Sequence, residues 1–171
     1  TTATTSTIRA EGTSLNTFLT VANGFTNNGA IELTNNSASS GAVLTVTTGT
    51  LVNAATTGSI SSLVGSGGGS RSLTAQLDNR GTLTVSQSMT ISRTTPTHIN
   101  SGLIDIASGT TLTVSGGGSL TNAATPSVGL IRGSGTLNVA GTTFTNAGNV
   151  NPGTGPGVLA IIGPYSQNST G

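Results

Sequence analysis

Cysteine, lysine and tryptophan are absent from this 171-residue chain, and aromatic residues make up only 2% of it. Without thiols there are no disulfides and no thiolate metal sites, and neither redox compartment is excluded. Charge is almost as scarce. Four acids face five bases, all of them arginine and well separated at Arg9, Arg71, Arg80, Arg93 and Arg132. Nucleic acid is held by clustered bases, so no nucleic-acid partner is expected. No apolar run approaches the roughly 18 residues that cross a bilayer, so no direct membrane insertion is expected. The opening TTATTSTIRAEGTS has no basic stretch leading into an apolar one and does not read as a signal peptide. If the protein is exported, its signal has been removed or lies outside this sequence.

Core-forming residues are sparse as well: Leu, Ile, Val and Phe number 39 of 171, low for a globule. Disordered chains with so few usually carry high charge and abundant Pro, Lys and Glu. Here there are five prolines and 26 glycines, and most of the remainder is Thr, Ser, Asn and Ala. Thr favours strands, while Gly, Asn and Ser make turns, so many short strands and tight turns are expected.

An apolar-x-Asn step recurs six times, ending at Asn27, Asn53, Asn79, Asn100, Asn122 and Asn146, at intervals of 26, 26, 21, 22 and 24 residues. In four copies a Gly follows two residues later (Gly29, Gly81, Gly102, Gly148) and an aliphatic residue two beyond that (Ile31, Leu83, Ile104, Val150). Small insertions bring Ile60 and Ile131 into the same column in the other two copies. A second strand in each repeat centres on an apolar-polar-apolar triplet: Leu19–Val21, Leu44–Val46, Leu73–Ala75, Met89–Ile91, Leu112–Val114 and Leu137–Val139. That alternation is the mark of a half-buried strand.

A 21- to 26-residue repeat of three short strands, with no helical period, reads as one coil of a solenoid. The expected fold is all-β: a parallel β-helix of about five to six coils with three short strands per coil. Residues 1–171 form a single domain, expected to be a segment of a longer chain. The six asparagines are the expected structural ladder. They share parity with the apolar positions, so they point inward or sit at a corner, where stacked amides bond to one another.

The stretches FTNNGAIEL, DNRGTLTV, INSGLIDI, GSGTLNV and FTNAGNVNPGTGPGVLAI resemble the β-helical stalks of bacterial autotransporter passengers and filamentous-haemagglutinin-type adhesins. Pro152-Gly153-Thr154-Gly155-Pro156-Gly157-Val158-Leu159 looks like the PG-x-x-PG-x-L element of such exported proteins, with Val inserted before the Leu. The likeness runs from Leu19 to Tyr165. It implies a secreted or surface-displayed bacterial protein, extracellular or on the cell surface.

Polysaccharide-cleaving enzymes also use β-helices. Glycoside hydrolysis needs two carboxylates roughly 5 to 9.5 Å apart. The four acids are Glu11, Glu32, Asp78 and Asp105; Glu32 and Asp105 share an outward column three coils apart, and Asp78 lies in another. No catalytic residue, cofactor or metal site is expected. Arg132 follows Asp105 by one coil and reads as its surface ion pair. His98, the only histidine, takes the column of Phe25, Leu51, Leu77, Leu120 and Phe144, unless a one-residue slip puts Ile99 inside instead. The runs at Gly65–Gly69 and Gly116–Gly118 lack the following Lys-Ser/Thr of a phosphate loop and read as corners.

A candidate surface ladder comprises Thr20, Thr45, Thr74, Thr90 and Thr113. Resemblance to β-helical ice-binding proteins would make it an ice-binding face, but the flanking column (Ala22, Thr47, Gln76, Ser92, Ser115, Ala140) does not supply the usual second Thr row. The expectation is therefore a non-catalytic segment of a secreted or surface adhesin or fibre, acting as a rigid shaft. Its expected partners are like chains, associating end to end or laterally, or host or surface glycans.

Overall fold

The computed structural model describes residues 1–153 and 157–168. It contains strands and turns and, among those residues, no helix. The chain winds through seven coils. The first holds β1 (Thr7–Gly12), β2 (Thr17–Asn23) and β3 (Thr26–Asn27), the second β4 (Ala30–Asn35) and β5 (Ala42–Asn53), and the third β6 (Ser59–Ser62) and β7 (Arg71–Asn79). The fourth holds β8 (Thr82–Val85), β9 (Met89–Ser92) and β10 (Thr97–Asn100), and the fifth β11 (Leu103–Ile106), β12 (Thr111–Ser115) and β13 (Ser119–Asn122). In the sixth are β14 (Leu130–Gly133), β15 (Thr136–Asn138) and β16 (Thr143–Asn146); the seventh has β17 (Asn149–Asn151), β18 (Ala160–Ile162) and β19 (Tyr165–Gln167). β5 and β7 are long because each runs through a corner and serves two faces.

Every pairing between coils is parallel, and the strands build three faces. The first stacks β1, β4, β6, β8, β11, β14 and β17. The second stacks β2, the first half of β5, the first half of β7, β9, β12, β15 and β18. The third stacks β3, the second halves of β5 and β7, then β10, β13, β16 and β19. The parallel β-helix with three strands per coil is thus the fold, with seven coils where the sequence suggested five to six. The seventh lacks the apolar-x-Asn signature because its ladder residue is Gln167, not Asn.

Alternation sets the core. On the first face Ile8, Ile31, Ile60, Leu83, Ile104, Ile131 and Val150 lie in one continuous column. On the second, Leu44, Leu73, Ile91 and Val114 stack in register and are buried. Each such aliphatic contributes roughly 1.5–3 kcal/mol when removed from water, and none would be buried without the coils above and below.

Glycine explains the shape of the repeat. The residues preceding Ala30, Ser59, Thr82, Leu103, Leu130 and Asn149 are all Gly, and the pairing puts those followers in one column. Five of these six Gly carbonyls accept an amide from the next coil, as Gly81 does from Leu103 and Gly102 from Leu130. A Cβ at Gly102 would overlap the Gly81 carbonyl oxygen, so the column admits no side chain. Gly58 and Gly129 complete it in the two coils where insertions separate Gly from Asn.

The second face departs from the expected alignment. Between coils three and four, Ser72 pairs with Thr90, Leu73 with Ile91 and Thr74 with Ser92, a shift of two residues from the expected match of the triplets. The shift brings Arg71 into an inward position between Ala42 and Met89. Coil three also turns its next corner with no extra residues. Four positions separate Leu73 from Leu77, against seven between Leu44 and Leu51 and seven between Ile91 and His98. β5 accommodates the difference by an irregularity between Thr45 and Thr50.

Candidate functional site

The asparagines form one hydrogen-bonded column inside the corner between the third and first faces. Asn27 Nδ2 donates to Asn53 Oδ1, Asn53 to Asn79, Asn79 to Asn100, Asn100 to Asn122 and Asn122 to Asn146, at 3.0, 2.8, 2.7, 2.7 and 2.7 Å. Asn146 Nδ2 continues to Gln167 Oε1 at 2.9 Å, and Thr2 Oγ1 donates to Asn27 Oδ1 at the other end. The amide groups also donate to backbone, for example Asn53 to Thr82 O and Asn79 to Leu103 O. Asn27, Asn53, Asn79, Asn100 and Asn122 have no measurable exposure. Buried amides are tolerated because nearly all their hydrogen-bonding capacity is used. All donors point along the chain's direction of winding, so the column has one polarity.

The candidate Thr ladder is two ladders. Thr20, Thr45 and Thr74 stack and continue as Ser92 and Ser115. Thr90 and Thr113 belong to the neighbouring outward column, which runs Phe18, Val43, Ser72, Thr90, Thr113, Asn138. The second face therefore carries paired hydroxyl rows from coil three to coil five. Gln76, expected in the flanking column, lies on the third face opposite Thr50, whose Oγ1 accepts from Gln76 Nε2.

The carboxylates do not converge on a shared space. Glu32 binds Arg9 at 2.6 Å, with Glu11 at 3.8 Å from the same arginine; Asp78 binds Arg80 at 2.6 Å, and Asp105 binds Arg132 at 2.8 Å. Ser61 and Thr84 separate Glu32 from Asp105 along their column. These partly solvated pairs each contribute about 0–1 kcal/mol. Among the described residues no three His, Asp or Glu side chains gather in a way that could hold a metal ion.

His98 lies in the inward column between Leu77 and Leu120 and is 2% exposed. Its Nδ1 accepts the Leu77 amide at 3.1 Å, whereas Nε2 is buried without a partner among the described residues. Burial, and secondarily the positive Arg93, lower its pKa to about 4, so the ring is neutral in the fold. Ile99, the alternative inward residue, faces out at 38% exposure.

One polar centre was not visible in the repeats. Arg71 is 1% exposed and has no carboxylate partner among the described residues. Its Nε donates to Leu63 O, Nη1 to Gly68 O and Gly69 O, and Nη2 to Asn35 Oδ1 and Val64 O. All five N–H groups are thereby satisfied. Asn35, also buried, donates in turn to Ser37 O, Ser40 O and Gly67 O. The two side chains pin the loops 36–41 and 63–70 over the same corner. Burial lowers the Arg71 pKa. The available sequence signal was an arginine at an apolar position of a strand pattern.

Of the Pro-Gly element, Thr154, Gly155 and Pro156 lie outside the described residues. Val158, its inserted residue, is exposed, and Leu159 leads into β18 against the core. Comparison of the chain with protein-family models, curated proteins and solved structures finds no match.

Proposed function

We propose that this chain is a non-catalytic structural segment of a secreted or cell-surface bacterial adhesin or fibre, serving as a rigid shaft. The observation that carries this reading is the amide column, which links all seven coils from Thr2 to Gln167 without a break. Backbone ladders and side-chain amides run along the same axis, so bending or separating two coils breaks both at once. The repeat's resemblance to adhesin stalks and its neutral Thr/Ser/Asn surface support the same reading, and each carboxylate being tied to an arginine gives catalysis no support. Antibodies against the chain are expected to label intact source cells, and labelling only after lysis would refute the surface assignment. The end coils present strand edges that suit a second copy stacked end to end. Sedimentation velocity should show species that grow with concentration; a monodisperse monomer throughout would remove self-association.

A second reading, an ice-binding face, gains support from the paired hydroxyl rows Ser72–Thr90–Thr113 and Thr74–Ser92–Ser115. Ice-recrystallisation inhibition that disappears in Thr90→Tyr would favour it, and inactivity of the native chain would end it.

A further inference from the structure

Charge pairing singles out one side chain. Five arginines and four acids leave the chain at +1. Arg9, Arg80 and Arg132 are neutralised by the four carboxylates, all of which lie among the described residues. Arg71 is sealed, with every N–H committed to an oxygen. Arg93 remains: it is partly exposed and has no carboxylate partner among the described residues.

The fold gives Arg93 a defined setting. Coil three turns its corner three residues short, which opens a notch between the corner of coil two (Thr47–Gly49) and that of coil four (Arg93–Pro96). Arg93 bridges it, donating from Nη1 to Gly49 O and from Nη2 to Thr47 O, 44 and 46 residues back along the chain. These two bonds fix the plane of the guanidinium. Its Nε–H and the two remaining Nη protons have no acceptor among the described residues. The notch is an open groove of about 590 Å³, lined by Thr47, Thr74, Ser92, Arg93, Thr94 and Gly116. A fixed guanidinium with unused donors, flanked by four hydroxyls and no acid, is complementary to an oxyanion carried on a polyhydroxylated ring.

We infer that this groove binds an acidic saccharide unit, its carboxylate or sulfate on Arg93 and its ring hydroxyls on Thr47, Thr74, Ser92 and Thr94. This deepens the surface-protein reading by naming a glycan class, but the groove stands apart from the shaft role. A chain that labels intact cells yet ignores acidic glycans would retain the first and lose the second.

The test is a titration of the ¹⁵N-labelled full chain with oligogalacturonate, with sulfated dextran oligosaccharide and with neutral dextran. Amide shifts are expected at Thr47, Thr74, Ser92, Thr94 and Gly116 with one or both acidic ligands, the two arms separating carboxylate from sulfate. Arg93→Gln is expected to weaken that binding at least about tenfold, as loss of a charged donor does. Arg93→Lys should restore part of it, and Arg132→Gln should leave it unchanged. Amide spectra of each variant establish that it is folded. Equal binding by Arg93→Gln, equal binding of neutral dextran, or no shift with either acidic ligand at millimolar concentration would overturn the inference.

Discussion

His98 Nδ1 accepts the backbone amide of Leu77 at 3.1 Å, taking on its side chain a bond that lies within the third face. With Nδ1 accepting, the neutral ring carries its hydrogen on the opposite nitrogen, Nε2, which is buried and has no acceptor among the described residues. A second proton must go to Nδ1, where it would displace the Leu77 amide, in a buried setting with the positive charge of Arg93 opposing it.

The fold should therefore lose stability in a definite pH window. The folded pKa, about 4, lies below the ordinary 6.5, so the unfolded chain takes the proton first. Stability from this residue is complete above about pH 6.5, falls as pH drops through the window and levels below about 4. The loss amounts to about 3 kcal/mol. Urea midpoints between pH 7 and pH 4 should show it, and His98→Leu should flatten the profile there. At pH 7 the same variant should change little, because the gained aliphatic burial and the orphaned Leu77 amide are each about 1–2 kcal/mol.

The amide column predicts a gradient along the axis. Asn100→Ala removes the acceptor of Asn79 Nδ2 and the donor to Asn122 Oδ1, both buried. Two orphaned groups at about 1–3 kcal/mol each give a loss of roughly 2–5 kcal/mol. Gln167→Ala removes the terminal acceptor of Asn146 and exposed bonds to the Tyr165 hydroxyl and Asn168 O, and should cost under about 1 kcal/mol. Chemical denaturation of both variants checks the ratio. Equal losses would mean that the column is not acting as a chain of buried bonds.

Much of this architecture was legible because a solenoid repeats its physics. The aliphatic column of Ile31, Ile60, Leu83, Ile104, Ile131 and Val150 aligned from sequence even across insertions, since each member answers the same burial demand. The second face was harder to read. Coil three carries an eight-residue Gly/Ser loop before Arg71 and a short corner after Ala75, and the two nearly cancel, so Asn53 and Asn79 keep an ordinary 26-residue spacing. Spacing alone thus hid the two-residue slip, the paired hydroxyl rows and the notch at Arg93. Arg71 was opaque for another reason: its partners are mostly backbone carbonyls, which leave no mark on a sequence.

Gly102 and Gly109 separate close approach from backbone conformation. A Cβ at Gly102 would run into the Gly81 carbonyl oxygen and the Arg80 backbone, none of which can yield without breaking the coil stack. At Gly109 the φ is +74°, but nothing lies within 4 Å of an added Cβ. Gly109→Ala should cost about 1 kcal/mol, the left-handed penalty for an L-residue. Gly102→Ala should cost upward of about 3 kcal/mol, the scale of severe steric strain. Thermal midpoints that ranked the two variants in the opposite order would contradict the carbonyl-stacked glycine column.

Arg71 offers the sharpest contrast between charge and geometry. Its guanidinium meets five oxygens and no carboxylate, so its role is to supply donors in a planar fork to Leu63 O, Val64 O, Gly68 O, Gly69 O and Asn35 Oδ1. Arg71→Leu would restore the apolar pattern of the strand yet strand all five acceptors. The expected loss is about 3–5 kcal/mol, comparable to breaking a buried ionic network. Arg71→Lys keeps the charge but has three donors on a flexible stem, and should recover less than half of that loss. Protease susceptibility of the loop 63–70 provides a local readout, rising in Arg71→Leu before global unfolding begins. If Arg71→Lys matched the native chain in both stability and protection, the fork would be unnecessary and a buried positive charge alone would hold the corner.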